Sequence, residues 1–179
     1  MFQTTCQIDF YSLNKIKTLI GHPPCPPTPC PCSSSLPYAE CCHPFHTHQS
    51  HPQTAEKLMR SRYSAYVLHN IDYIVATTVP SQQNLLNQEE IQQWSRGTLW
   101  LGLEVIHHTL IGKRHAQVEF NAHFQDGAET AYHHELSTFV NIDGYWYFID
   151  PTAPLPTMKQ ACICGSGKKF KACCRQFFK

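Results

Sequence analysis

The sequence predicts an α+β fold in which helices come first and pack on an antiparallel sheet of about four strands, with a small cysteine module on either side. Three observations predict it. Apolar residues recur at helical spacing over residues 54–80, the period changes to two from Leu99 onward, and one cysteine spacing occurs twice. A chain of 179 residues can hold one ordinary core of about 100–150 residues with short appendages.

Residues 1–28 show no sustained periodicity and run into a proline-rich stretch over residues 23–29, so they are expected to be a poorly ordered extension. Their lysines, Lys15 and Lys17, come late and no continuous apolar block follows, which makes a poor secretory signal. Residues 52–151 form the central domain. Thr54 is a candidate N-cap, and Leu58, Met59, Tyr63, Tyr66 and Val67 share one helical face. His69-Asn70 breaks the pattern into two helices. Asn87, with Glu90 three residues later, starts a further helix through Trp94 to Gly97.

Strands are expected at residues 99–111, 115–124, 128–142 and 145–150. In the second, Ala116, Val118, Phe120, Ala122 and Phe124 alternate with polar neighbours. Asp126-Gly127 and Asp143-Gly144 supply the residues that tolerate positive φ in hairpin turns. Consecutive helices followed by consecutive strands give a sheet with its helices on one face. Trp94, Trp100 and Trp146 are read as core.

Cys30-Pro31-Cys32, eight residues, then Cys41-Cys42 matches Cys162-Ile163-Cys164, eight residues, then Cys173-Cys174, with Tyr38 matching Phe170. Four thiolates in two close pairs make a closed tetrahedral set for zinc, and such a set leaves no open position for water. Two Zn²⁺ ions per chain are expected in modules over residues 29–46 and 159–179, although tetrathiolate sites also accept iron. His43 could replace Cys42 as a ligand, but the repeat favours Cys42. Compact duplicated clusters do not resemble a disulfide framework, which favours the cytoplasm.

Formal charge is +1, so global charge names no partner, and no apolar run approaches the roughly 20 residues that span a bilayer. The two modules differ. Residues 159–179 carry six basic side chains (Lys159, Lys168, Lys169, Lys171, Arg175, Lys179) and no acidic one, about plus four with a tetrathiolate zinc; the other module, with Glu40 alone, counts to about minus three. Lys168, Lys169, Lys171 and Arg175 are therefore the expected docking surface for a protein or ribosome-associated partner.

The run Cys162-x-Cys164-Gly165-Ser166-Gly167-Lys168-Lys169-Phe170-Lys171-x-Cys173-Cys174 resembles the SEC-C motif, the metal-binding tail of the preprotein translocation motor. With Leu58-Met59-Arg60-Ser61-Arg62-Tyr63-x-Ala65-Tyr66, Trp100-Leu101-Gly102-Leu103, His134-Glu135-x-Ser137-x-Phe139 and Gly144-Tyr145-Trp146-Tyr147-Phe148-Ile149-Asp150, the chain is similar to the bacterial YchJ family over about residues 29–176. That resemblance implies an NTF2-like central domain, a curved sheet wrapped by helices into a cone. The first module departs from the motif in having Ser33-Ser34-Ser35 where the second has glycines. A serine held at positive φ there would cost about 1 kcal/mol.

Inside such a cone the candidate residues are His134 and Glu135 with Arg60, Arg62, Trp100 and Asp150. His134 and Glu135 are adjacent on a strand and face opposite sides, which weakens a catalytic pair. Arg60 is expected to pair with a sheet carboxylate such as Glu135 or Asp150. The reading that follows is a non-catalytic zinc protein acting as an interaction module for protein or ribosomal partners, with a link to protein export that the SEC-C resemblance suggests. Its rival is an enzyme or small-molecule binder using the cone, and a cavity with several converging polar groups would favour that rival.

Overall fold

The structure, a computed structural model, describes residues 28–178. The expectation of poor order for the N-terminal extension falls on residues 1–27, which lie outside them together with Cys6 and Cys25. A short helix α1 (His43–His46) ends the first module. Helix α2 (Ala55–Val67) begins where Thr54 accepts a hydrogen bond from the Lys57 amide at 3.1 Å, a cap worth about 1 kcal/mol. The chain reverses at His69, φ 58°, and Asn70 caps α3 (Ile71–Ala76) by accepting from Tyr73 N at 3.2 Å. Helix α4 (Pro80–Gln83) starts on a proline and had no counterpart in the sequence pattern. Helix α5 (Gln88–Gly97) is capped by Asn87, which accepts from Glu90 N at 3.3 Å.

Strands β1 (Trp100–Ile111), β2 (His115–Asp126), β3 (Glu129–Ile142) and β4 (Tyr145–Ile149) form one antiparallel sheet in sequence order. The β3–β4 hairpin turns on Asp143 and Gly144, both at positive φ (52° and 91°), the backbone a two-residue hairpin loop requires. Irregular register near Leu101 and Ile106 bends β1. Helix α2 lies on the concave face, where Leu58, Met59 and Tyr63 meet Val118, Phe120 and Phe139 in the central core. Complete burial of side chains such as Leu58 and Phe139 contributes about 1.5–3 kcal/mol each. The tryptophans meet the core expectation only in part. Trp94 is 46% exposed, Trp100 is partly buried, and Trp146 is partly buried with its indole N–H donated to Gln53 O at 3.1 Å.

The sequence repeat is also a backbone repeat. Cys30 N donates to Leu36 O (2.8 Å) as Cys162 N does to Lys168 O (2.9 Å); Tyr38 N donates to Thr28 O as Phe170 N does to Gln160 O, both at 2.9 Å. Short 3₁₀ turns at Tyr38–Glu40 and Phe170–Ala172 then bring the adjacent cysteine pair back. Gly165 and Gly167 have φ 67° and 73°, and their counterparts Ser33 and Ser35 have φ 59° and 65°.

The first module therefore carries two serines in the left-handed region. Ser33 is compensated, because its Oγ accepts from Leu103 N at 3.0 Å and ties the module to β1. Ser35 is exposed and makes no side-chain hydrogen bond among the described residues. Ser35→Gly is expected to stabilise the protein by up to about 1 kcal/mol, and Ser33→Gly by clearly less. Chemical denaturation of the metal-loaded variants checks the order; equal effects would mean that the Ser33 bond contributes nothing.

The two modules attach to different parts of the central domain. In the first, the His46 ring is buried, accepting from Tyr38 OH at 2.8 Å and donating to Ser61 O of α2 at 2.9 Å. In the second, Ile163 and Phe170 pack with Val79, Val140 and Ile149 in a separate apolar cluster.

Candidate metal centres and an arginine-bearing cavity

The donor atoms of Cys30, Cys32, Cys41 and Cys42 all lie within 4.8 Å of one another, so this set could hold a metal ion. At the other end Cys164, Cys173 and Cys174 form such a group with His115, the first residue of β2. Cys162 Sγ lies 3.5 Å from Cys164 Sγ and belongs to the same cluster. All eight cysteines of the two clusters are free thiols and six of them are buried. Sulfur and imidazole donors at these separations suit a tetrahedral metal with Zn–S bonds of about 2.3 Å. The hydroxyl of Ser34 meets Cys41 Sγ at 3.1 Å, as that of Ser166 meets Cys173 Sγ at 3.3 Å.

The central domain grips both modules in the same way. Arg60 Nη1 donates to Cys32 O at 3.1 Å, and Arg114 Nη2 donates to the equivalent Cys164 O at 3.4 Å. A polar side chain near each arginine touches a thiol. Ser64 Oγ meets Cys30 Sγ at 3.5 Å, and His115 Nε2 meets Cys174 Sγ at 3.3 Å. Hydrogen bonds from Cys32 and Cys42 hold the Cys30 thiol far below its usual value, and the bond to Cys30 pushes Cys42 up. Cys164 is likewise lowered by Cys174, and Cys174 raised. Each cluster so shares protons among its sulfurs, and a metal must displace them to bind.

A small cavity lies between α2, α5 and the face of the sheet that they cover. Its aromatic walls include Tyr66, Trp94, Trp100 and Phe148, and its polar members are Arg62, His133, Glu135 and Ser137. It continues into a wider vestibule that Glu90 and Asp150 help to line. Arg62 is only 7% exposed; its Nη1 donates to Ile74 O and Thr77 Oγ1, both at 2.7 Å, and its guanidinium sits 4.4 Å from the Phe148 ring centre. Among the described residues its Nε and Nη2 have no partner.

These positions differ from those expected for the cone. His134 lies on the opposite face of β3, bonded to Asn121 Oδ1 at 2.9 Å and beside Glu119 at 3.3 Å. Arg60 reaches neither Glu135 nor Asp150 but pairs with Glu56 at 2.9 Å. Asp150 sits at the vestibule and accepts from Thr152 N at 2.8 Å. Of the expected residues Glu135, Arg62 and Trp100 line the cavity, Glu135 with a 29% exposed side chain beside His133 and Ser137, two residues away on the same strand face.

The family description "YchJ, middle NTF2-like domain" matches residues 54–151, and the SEC-C motif matches residues 158–176. A UPF0225 protein of Actinobacillus succinogenes is 56% identical over 146 residues, covering 81% of this chain and 95% of the relative. The chain belongs to the YchJ family. A UPF0225 protein of Haemophilus influenzae strain PittGG is 57% identical over 148 residues, covering 83% of this chain and 92% of its own length. Two solved structures have the same fold. The crystal structure of a SEC-C motif containing protein from Psychrobacter arcticus matches with TM-score 0.79 and 48% identity, over 84% of this chain and 97% of that one. The solution structure of a SEC-C motif containing protein from Rhodopseudomonas palustris matches with TM-score 0.64 and 36% identity, over 69% and 96%.

The His133–Glu135 pair of this YchJ-family domain has a definite pH signature. The hydrogen bond to Glu135 raises His133 against the opposing effect of burial. Burial pushes Glu135 up, but bonds from His133 and Ser137 outweigh it and the net shift is down. A raised histidine contributes stability below 6.5 that is lost as pH rises through its folded value. A lowered carboxyl contributes stability above 4.5 that is lost as pH falls through its own. The pair is thus worth most between pH 4.5 and 6.5. His133 is half exposed, so solvent screening keeps its share below about 1 kcal/mol. Glu135→Gln should lower the melting temperature most at pH 5.5–6 and less at pH 8; a difference growing toward pH 8 would contradict it.

No helix of the described residues is long and apolar enough to cross a membrane. Lys168, Lys169 and Lys171 are exposed and have no ion-pair partner among the described residues, whereas Arg175 is tied to the Phe178 carbonyl.

Proposed function

We propose that this protein binds two zinc ions and uses its C-terminal SEC-C module as a rigid, basic docking unit for a protein or ribosome-associated partner in the cytoplasm. The supporting observation is the set of three exposed lysines, Lys168, Lys169 and Lys171, without ion-pair partners among the described residues, on a loop flanked by a cysteine cluster on one side and Val79, Val140 and Ile149 on the other. Holding the loop rigid before binding lowers the ordering cost of association. The SEC-C motif gives the possible tie to protein export, and the closed cysteine sets suit a structural metal with no catalytic position. Lysine-to-glutamate reversal at the three positions leaves every cysteine in place and changes the local charge from about plus four to about minus two. Metal content is expected to persist, while capture of ribosomes or acidic proteins at physiological salt falls at least tenfold. Unchanged capture would reduce the lysines to a solubilising surface.

The cavity supports a second reading, a small-molecule binder or enzyme, with the metal modules as clamps. Arg62 favours it, because a guanidinium removed from water keeps two donor nitrogens toward an aromatic-walled space that also holds Glu135 and His133. His133 and Glu135 are the acid–base candidates there. A panel of small aromatic acids and amines, screened by saturation-transfer NMR against the full chain and Arg62→Met, separates the readings. Binding that depends on Arg62 and ignores the lysine reversal supports the second.

A further inference from the structure

We propose that the cavity takes a small aromatic monocarboxylate, its carboxylate clamped by Nε and Nη2 of Arg62 and its ring held among Tyr66, Trp94 and Trp100. This rests on the small-molecule reading of the cavity and names the class of ligand.

Arg62 divides its donors between the fold and the cavity. Nη1 serves the fold, donating to Ile74 O and Thr77 Oγ1 at 2.7 Å each and to Thr78 Oγ1 at 3.4 Å. Nε–H and the Nη2–H beside it leave the guanidinium in parallel on the other edge, the one through which arginine holds a carboxylate by two N–H···O bonds. That edge has no partner among the described residues, although the residue is only 7% exposed. It is not sealed off either. Among the described residues the side-chain polar atom that is both buried and unpartnered is His108 Nε2. Arg62 lines the chamber and its vestibule alike, so the free edge opens on this space.

The carboxylates of the cavity are committed elsewhere. Glu135 accepts from His133 Nε2 at 3.3 Å and from Ser137 Oγ, and Asp150 accepts from Thr152 N and Oγ1 at 2.8 and 2.6 Å. The ion pairs of the described residues do not include Arg62. A buried guanidinium without a contacting counter-ion is the costly half of a pair, and a ligand anion completes it. The walls set the rest of the ligand. Tyr66, Trp94 and Trp100 stand with ring centres 5.1–6.0 Å apart and offer flat apolar surface to a ring. Phe148, 4.4 Å below the guanidinium carbon, fixes the plane in which a carboxylate meets it. Glu90 and Asp150 flank the vestibule, so a dianion such as a phosphate monoester is repelled more than a monoanion.

Benzoate titrated into the full chain tests the assignment, with benzamide, benzylamine, phenyl phosphate and acetate as comparison probes. The readouts are the proton–nitrogen correlation of the Arg62 Nε–H and nuclear Overhauser contacts from probe ring protons to the Trp94 and Trp100 indoles. Benzoate is expected to move the Nε–H resonance downfield and to touch both indoles, with benzamide and acetate binding at least tenfold more weakly. Arg62→Met should weaken benzoate by about 10–100-fold, the worth of a charge-assisted hydrogen bond. The combined variant Lys168→Glu, Lys169→Glu, Lys171→Glu should bind it unchanged. Indole contacts from benzylamine or phenyl phosphate but not from benzoate would overturn the carboxylate assignment and leave the small-molecule reading standing. Absence of indole contacts from every probe would overturn both. Benzoate affinity that survives Arg62→Met, or that falls with the lysine variant, would overturn the clamp. Should Arg62→Met fail to fold, the parent protein still decides, because an Nε–H resonance unmoved at saturating benzoate also overturns the clamp.

Discussion

Removal of metal from the full chain should unfold both cysteine modules and leave the centre of the molecule protected. Each module has few large apolar side chains of its own, chiefly Tyr38 in the first and Ile163, Phe170 and Phe177 in the second, too little apolar area to offset the entropy of ordering its loop. Metal supplies the difference; structural zinc in small finger peptides is worth about 10–16 kcal/mol at neutral pH. The central domain has a separate core of α2, β2 and β3 residues that contains no cysteine. Hydrogen exchange after chelation is therefore expected to lose protection over residues 29–46 and 159–178, while α2 and the middle of β2 and β3 keep theirs. Val79, Val140 and Ile149 lose their cover, so β4 and the end of β3 should loosen partly. Elemental analysis of the untreated, reduced protein should give two metal ions per chain, and Cys32→Ser should give one. A single ion in the parent would mean that only one module is a metal site, and loss of protection throughout residues 55–150 would mean that the modules and the core are not separate folding units.

Replacement of Arg62 by alanine is expected to destabilise the protein by about 3 kcal/mol, from charge-assisted hydrogen bonds to Ile74 O and Thr77 and from the space left beside Phe148. For a chain of this size that corresponds to a fall in melting temperature of roughly 6–12 °C. Arg62→Met should cost much less. It fills the volume, and Thr77 and Thr78 hydroxyls still donate to Ile74 O at 3.4 and 3.0 Å. A stable Arg62→Met protein is then the means of asking whether the guanidinium serves the fold or a ligand. If alanine and methionine are equally damaging, the arginine is chiefly an electrostatic support of the core and the cavity reading loses its main observation.

Much of this architecture is legible from short stretches of sequence. Thr54, Asn70 and Asn87 act as caps because a side-chain oxygen reaches an amide three residues on, a relation contained in the local chain. Asp143-Gly144 makes its turn through its own backbone preferences, and the serines standing at Gly165 and Gly167 positions announce their strain in the repeat. Face alternation also places His133, Glu135 and Ser137 together, and helical phase places Arg62 with Met59, Tyr63 and Tyr66. Adjacency drew attention to His134 instead, and the sequence, which offers Arg60 and Arg62 together, does not say that only Arg62 enters the cavity.

By itself the sequence determined the order of helices and strands, the duplicated cysteine spacing and the charge difference between the modules, since each depends on residues within about a dozen positions of one another. Tertiary structure decided which groups meet. His115 reaches Cys174 across 59 residues of chain, Arg60 reaches the Cys32 carbonyl across 28, and Arg62 faces Glu135 only because the sheet curves over α2. Such contacts are chosen by how the sheet bends and where each module docks, and the energy that chooses them is spread over the apolar contacts of the whole core.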